Sequence, residues 1–357
     1  MPNATSTFPL AVIVLITSCA APEQRPGPAA DAAGQAIQAR GGDATTCNTR
    51  GVAYLNRSEN HKAVLEFSQA ISLRPDYAVA INNRGNAYLN KGEHDKAIED
   101  FSRFISLQEN SAVAWYNRGF AYLKKGVLEK AITDFSQAIR IDRTDATAYD
   151  NRGLAYLRKG DHGQAFKDYS EAIKLKPDNA AAYRGRGDCW NLNGDYDKAI
   201  VDFSQAVSLA PGDADSYNSR AYAYRQLKEY DKAIVDLDKA IDLKADHAEA
   251  WCNRGAVYAG KGEHDRAVED LDKAIDLKPD HAEAWCNRGT VYAYKGEHDK
   301  AIRDFSKAIG LQPGYAEAWY NRGLSYRLIG KKAAAEAEAN FNKAVELGFK
   351  PEGETPE

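Results

Sequence analysis

The chain has 357 residues, and its 47 lysines and arginines nearly balance its 51 aspartates and glutamates, so the formal net charge is −4. This balance argues against a dedicated nucleic-acid surface, which needs an excess of basic residues to displace counterions from phosphates. Strand-like alternation of β-branched residues does not occur, and the composition therefore predicts an all-helical protein.

The N-terminal residues differ from the rest of the chain. Residues 8–16 form an apolar run of nine, far shorter than the roughly 20 residues of a membrane-spanning helix. Its length and position are typical of a signal peptide, although no lysine or arginine precedes Arg25. The run continues into Ile16-Thr17-Ser18-Cys19, which resembles the lipobox of bacterial lipoproteins. We therefore expect residues 1–19 to be a signal peptide that ends in a lipidated Cys19.

This resemblance also implies a location. Ala20, rather than aspartate, follows the cysteine, which implies an outer-membrane lipoprotein that faces the periplasm. A periplasmic or a cytoplasmic location is the alternative. Residues 20–43 are rich in alanine, proline and glycine and contain few large apolar side chains, so we expect a disordered tether.

The rest of the chain is an internal repeat. A glycine recurs every 34 residues from Gly51 to Gly323, with Ala221 as the one exception, and an aromatic residue follows three positions later in each copy. A fixed period of this length indicates tandem structural units. We predict nine units over residues 44–348, followed by a loose tail at 349–357.

The period, the small residues and a proline in five of the eight turns between units resemble the tetratricopeptide repeat (TPR) family. The resemblance implies an all-α fold in which two antiparallel helices per repeat stack into a right-handed superhelix with a concave groove. A single helix pair cannot bury its apolar face, so the nine units should form one solenoid. Because a glycine inside a helix costs roughly 1 kcal/mol relative to alanine, we expect the recurring glycine to permit close helix–helix contact.

An arginine precedes the recurring glycine position in all nine repeats, and an acidic residue follows at a fixed offset in most of them. A guanidinium can pair with carboxylates on two sides, so we expect a ladder of ion pairs that holds the helices together. The alternative is a row of anion-binding arginines. The predicted ladder comprises Arg84, Arg118, Arg152, Arg254 and Arg288 with Asp100, Asp134, Asp168, Asp270 and Asp304.

Two runs of asparagines occupy the position before this arginine: Asn83, Asn117 and Asn151, then Asn253, Asn287 and Asn321. The family resemblance implies that this position faces the groove. The arrangement resembles the asparagine ladder in the superhelix of O-linked N-acetylglucosamine transferases, where such carboxamides hold the backbone of an extended peptide. A carboxamide offers both a donor and an acceptor, so we predict a peptide-binding ladder. The alternative is that asparagine is simply a tolerated polar residue on a wet helix face.

Between the two runs the ladder is interrupted by Gly185 and Ser219, with Arg184 and Arg225 at nearby groove positions. One hypothesis is that this middle section supplies specificity, with the two arginines binding an acidic group of the partner. The alternative is sequence drift.

Other residue types indicate no chemistry of their own. Cys252 and Cys286 are expected on the groove face of neighbouring helices, whose spacing of about 8–10 Å is too long for a disulfide. The histidines recur with the repeat instead of converging on a set of three or four ligands. We predict no catalytic residue, no metal and no cofactor.

These features together predict a non-enzymatic scaffold of the bacterial cell envelope. Its groove would bind an extended peptide or a helix of a protein partner, without nucleic acid, and it would contact the membrane only through the N-terminal lipid. Two alternatives remain: a soluble cytoplasmic TPR scaffold, and a regulatory subunit of an envelope hydrolase or polysaccharide-export complex.

Overall fold

The computed structural model describes residues 42–330 and 333–350. Within these ranges the chain folds into eighteen α-helices and no strand, which confirms the all-α prediction. The helices are α1 (Ala44–Asn56), α2 (Asn60–Leu73), α3 (Ala78–Asn90), α4 (His94–Leu107), α5 (Ala112–Lys125), α6 (Leu128–Ile141), α7 (Ala146–Lys159), α8 (His162–Leu175), α9 (Ala180–Leu192), α10 (Tyr196–Leu209), α11 (Ala214–Gln226), α12 (Tyr230–Leu243), α13 (Ala248–Gly260), α14 (His264–Leu277), α15 (Ala282–Tyr294), α16 (His298–Leu311), α17 (Ala316–Ile329) and α18 (Ala334–Glu346).

Each repeat consists of a first helix (odd numbers) and a second helix (even numbers). Every helix packs mainly against its neighbours in the chain, as in a solenoid. First helices also contact the first helices of adjacent repeats, whereas no two second helices come into comparable contact within the described part of the chain. The array therefore curves with the first helices on its inner, concave side, and the inner faces of these helices form the groove.

A column of large side chains on the second helices fills the core: Phe67, Phe101, Phe135, Tyr169, Phe203, Leu237, Leu271 and Phe305. The recurring glycine lies directly against this column. A Cβ atom on Gly85, for example, would lie 2.6 Å from Cε1 of Phe101, closer than carbon atoms can approach. The glycines thus permit the helix contact that the sequence predicted.

Turns between the first and second helices require a left-handed residue. Glycine takes this conformation in most repeats, for example at Gly92 with φ 74°. Ser58 and Lys228 adopt the same conformation with φ 59°, although an L side chain disfavours it. None of the described helices is long and apolar enough to cross a membrane. Cys19 and the N-terminal segments predicted at residues 1–41 lie outside the described residues, as does most of the C-terminal tail.

Candidate peptide-binding groove

The six asparagines of the predicted ladder lie on the first helices, which form the concave layer. Each donates a hydrogen bond from Nδ2 to a side chain of the preceding repeat. The pairs are Asn83 to Asn48 (3.1 Å), Asn117 to Asn82 (2.7 Å), Asn151 to Tyr116 (3.0 Å), Asn253 to Asn218 (2.9 Å), Asn287 to Cys252 (3.5 Å) and Asn321 to Thr290 (3.5 Å). The ladder is therefore a set of contacts between repeats as well as a surface.

The acceptor ends of these carboxamides have a different role. No donor among the described residues reaches an Oδ1 atom of the six, and none of these oxygens is sealed from solvent. At Asn151 the assignment of nitrogen and oxygen is unambiguous, because Nδ2 also contacts the carbonyl oxygen of Thr147 at 3.0 Å and a carbonyl can only accept. The groove therefore presents a row of hydrogen-bond acceptors.

Arginines next to the ladder point the other way, toward the second helices. In seven repeats the guanidinium forms a bidentate pair with an aspartate sixteen residues later, with Nε–Oδ2 distances of 2.7–2.8 Å and Nη2–Oδ1 distances of 2.7–2.9 Å. The seven include all five predicted pairs, from Arg84–Asp100 to Arg288–Asp304, together with Arg186–Asp202 and Arg220–Asp236. Each aspartate is buried, so these arginines are occupied within the fold.

The same guanidinium also reaches the preceding repeat. Nη1 donates to a serine on the preceding second helix, as from Arg152 to Ser136 at 3.0 Å. In repeats six and seven this serine is replaced by aspartate, so Arg254 donates to Asp238 at 2.6 Å and Arg288 donates to Asp272 at 2.6 Å. The hydrogen bond to Asp270 raises the pKa of Arg254 against the effect of burial, and Asp238 raises it further.

The last repeat keeps the arginine but lacks the carboxylate. Arg322 Nε donates to Asn340 Oδ1 at 2.8 Å, eighteen residues later, because two extra residues precede the final helix. Burial without a carboxylate lowers the pKa of Arg322.

The middle of the groove departs from the expectation of an acid-binding site. Arg184 Nη1 lies 3.1 Å from Asp215 and 3.4 Å from Asp213, so its charge is already neutralised within the fold. Asp215 also lies 3.1 Å from Nε2 of the buried His247. The contact with His247 and the charge of Arg184 together lower the pKa of Asp215 to about 2, although burial opposes this shift. The role of Arg184 in binding an acidic group stays a prediction, and these internal ion pairs do not favour it.

Arg225, the second arginine of this section, lies over the ring of Tyr222, with 5.2 Å between the guanidinium carbon and the ring centroid. Two nearby carboxylates are half-buried: burial raises the pKa of Asp150 to about 6 and that of Asp188 to about 6, and the charge of Arg184 opposes both shifts. The middle section is thus a network of internal charges in which carboxylates outnumber arginines.

The interruption of the ladder at Gly185 has a packing cause. A Cβ atom on Gly185 would lie 2.3 Å from Cζ of Tyr169, which occupies the core position that phenylalanine holds in most other repeats. The tyrosine ring fills the space that an asparagine side chain would need. At the same junction Ser170 Oγ is buried without a hydrogen-bond partner, and Arg186 makes no bond to it. The sequence showed the gap in the ladder but not this cause.

The cysteines do not line the groove as expected. Cys252 and Cys286 are 1% and 0% exposed, and they pack in the apolar clusters between neighbouring repeats. Burial raises the pKa of the Cys252 thiol to about 12, so the thiol stays protonated at neutral pH. In the described part of the chain, no group of three or more His, Cys, Asp or Glu side chains could hold a metal ion.

Removing one aspartate of the arginine–aspartate ladder is expected to lower stability by different amounts in different repeats. Asp168→Ala should lower the free energy of unfolding by about 3–5 kcal/mol, because Arg152 would stay buried without a carboxylate. Asp270→Ala is the matched variant and should cost clearly less, because Asp238 still lies 2.6 Å from Arg254. Urea unfolding followed by circular dichroism measures both losses. Equal losses would contradict the role given to Asp238.

A double-mutant cycle tests the cause of the ladder gap. Gly185→Ala should lower the free energy of unfolding by about 1–3 kcal/mol, because the added Cβ collides with the Tyr169 ring. Tyr169→Phe should recover much of this loss, because the preceding repeat combines a phenylalanine, Phe135, with a side chain at the equivalent ladder position, Asn151. Thermal unfolding of the two single variants and the double variant gives the coupling energy. Additive effects would show that the two positions are independent.

Comparisons with known proteins agree with this architecture. Family models described as tetratricopeptide repeat or TPR repeat match residues 66–99, 85–126, 122–160, 151–214, 203–235, 221–262, 248–281, 282–315 and 316–347, which together cover residues 66–347 without a gap. No curated protein matches the chain.

Solved structures with the same fold include two helical-repeat proteins. A tetratricopeptide repeat protein from Parabacteroides merdae aligns with a TM-score of 0.57 and 19% identity over 70% of this chain and 98% of its own. The APC/C hetero-tetramer Cut9–Hcn1 aligns with a TM-score of 0.60 and 15% identity, over 85% of this chain and 73% of the other. With the family models matching along the repeats and these folds in agreement, the chain belongs to the tetratricopeptide repeat family.

Proposed function

We propose that this TPR protein is a non-enzymatic scaffold that binds an extended segment or a helix of a protein partner in its concave groove. The observation that carries the proposal is the row of six Oδ1 acceptors on the first helices, none of which accepts a hydrogen bond from the described residues. Backbone N–H groups of a bound segment are the donors that such a row fits without regard to side chains.

The energetics favour weak, sequence-tolerant binding by the ladder alone. Each neutral hydrogen bond contributes a net of about 0.5–1.5 kcal/mol, and ordering a flexible segment opposes this by about 2–5 kcal/mol. Six acceptors therefore leave only a few kcal/mol, which corresponds to a dissociation constant near the millimolar range. Tight binding needs additional contacts from groove side chains.

We further propose that the scaffold works in the bacterial cell envelope, anchored through Cys19. The support comes from the apolar run of residues 8–16 and the lipobox-like residues that end at Cys19, all outside the described part of the chain. The tether of residues 20–43 would let the solenoid stand away from the membrane.

Two other functions are distinguished by simple observations. A soluble cytoplasmic scaffold would retain residues 1–19 and carry no lipid. A regulatory subunit of an envelope hydrolase or polysaccharide exporter would co-purify with that enzyme.

Variants of the asparagine ladder are expected to bind the partner less well in cells. A photo-crosslinking amino acid at Ala256, one turn after Asn253 on the same face, should link the partner in living cells, and the same amino acid at Glu269 on a second helix should not. Adding Asn253→Ala and Asn287→Ala should reduce the linked product several-fold by removing two acceptors. The crosslinked species are quantified by mass spectrometry.

The matched control is Cys252→Ala. It removes the internal acceptor of Asn287 Nδ2 and leaves the groove-facing Oδ1 in place. Crosslinking should therefore persist in this variant. Equal loss in Cys252→Ala and in the asparagine variants would mean that the ladder acts through stability alone, contrary to the proposal.

Metabolic labelling tests the anchor. Wild-type protein is expected to incorporate labelled palmitate and to remain with the membrane fraction, because the lipid is attached at Cys19. Cys19→Ala should incorporate no label and should leave that fraction. A wild-type chain without label would refute the lipoprotein proposal and leave the groove proposal intact.

A further inference from the structure

The two runs of the asparagine ladder have different neighbours. A residue four positions before a ladder asparagine lies one helical turn away on the same face. In the first run these residues are Val79, Val113 and Thr147, and in the second run they are Glu249, Glu283 and Glu317. The second run therefore combines each carboxamide with a carboxylate.

The first run is apolar by comparison. Val79 and Val113 are 51% and 44% exposed on the inner face. Tyr116 and Phe120 lie in the same part of the groove, with their rings stacked at 6.3 Å. The change of chemistry along the groove thus follows the change from valine and threonine to glutamate.

The three glutamates have no ion-pair partner in the described part of the chain. Glu249 and Glu317 are exposed and Glu283 is half-buried. They also act on one another: partial burial and the charge of Glu283 raise the pKa of Glu317, while Arg225 opposes the shift. Asp188 belongs to the same acidic surface. Burial is the main cause that raises the pKa of Asp188, and the charges of Asp215 and Glu249 raise it further. Two arginines, Arg184 and Arg225, thus face a larger number of carboxylates on this surface.

A second observation, independent of the carboxylates, concerns the acceptor atom of Asn253. The Asn253 side chain is only 7% exposed and Nδ2 is bonded to Asn218, yet Oδ1 receives no hydrogen bond from any described residue. It lies one turn after Glu249 on the same face. A carboxylate and an unfilled acceptor on one face both fit a donor that carries positive charge.

We infer that the groove of repeats seven to nine binds a segment with lysine or arginine side chains, held by Glu249, Glu283 and Glu317 beside the asparagine acceptors. This inference rests on the proposed scaffold function and adds the chemistry of the partner. Packed helices lie about 8–10 Å apart and an extended chain advances about 3.3 Å per residue. A basic residue at every third position would therefore meet one glutamate per repeat.

Fluorescence anisotropy with defined probes tests the inference. The probes are labelled peptides with four copies of Lys-Ser-Ala, of Gln-Ser-Ala or of Glu-Ser-Ala, added to the purified full chain at low ionic strength. The lysine peptide should bind the wild type at least about tenfold more tightly than the glutamate peptide, and about 0.3 M salt should reduce this difference by screening.

A charge-matched pair of triple variants locates the effect. Glu249→Gln, Glu283→Gln and Glu317→Gln together should weaken the lysine peptide about tenfold, because several exposed ion pairs are lost. The control combines Glu99→Gln, Asp242→Asn and Asp276→Asn, which removes the same charge from exposed positions on second helices and should leave binding unchanged. Thermal unfolding verifies that both proteins are folded.

The outcomes separate this inference from the scaffold proposal. Equal binding of the lysine and glutamate peptides by wild type would overturn the inference without any variant, and so would an unchanged affinity in the glutamine triple variant. If all three peptides bind alike and Asn253→Ala with Asn287→Ala weakens all of them, only the charge preference is wrong. If no peptide binds, the inference fails together with the peptide-binding groove.

Discussion

One guanidinium in each repeat holds the array together. The arginine sits on a first helix, in seven repeats forms a bidentate pair with an aspartate on the second helix of its own repeat, and in most repeats donates a third bond to the preceding second helix. Three helices meet at this one side chain. Because the bidentate geometry permits a single orientation, it also sets the rotation of the first helix, which directs the preceding asparagine toward the concave layer and the following glycine toward the core.

The orientation of the first helices explains why the ladder asparagines both join neighbouring repeats and face the groove. Their Nδ2 atoms join neighbouring first helices, and their Oδ1 atoms remain available to a partner. A polar side chain buried between helices must satisfy its donors, and here it does so within the protein. The stability of the solenoid and the acceptor surface of the groove therefore depend on the same residues, and a binding variant has to be judged against a stability control.

The arginine–aspartate pairs recur in most repeats, whereas the side chains that line the groove change along the array. The second and third repeats offer exposed valines and aromatic rings, the middle holds internal charge pairs around Arg184, and the last three add unpaired glutamates. The junction between repeats four and five is where the recurring contacts themselves change: Tyr169 displaces the ladder side chain and the bridging bond from Arg186 to Ser170 is missing. Tyr169 in the core thus accounts for the first of the two positions, Gly185 and Ser219, that separate the halves of the asparagine ladder.

The amino-acid pattern alone is enough to predict the fold, because a 34-residue period with glycine, aromatic and alanine in register specifies one helix pair repeated along the chain. It also placed arginine and aspartate at a constant separation, from which their pairing could be expected. Which side chains remain available to a partner depends on the packing in three dimensions: Arg184 is paired with Asp213 and Asp215, Cys252 is buried, and the Tyr169 ring occupies the space beside Gly185. The physical reason is that the period states which residues are equivalent, whereas hydrogen bonding and burial depend on side chains from adjacent repeats that are 28 to 35 residues apart in the sequence.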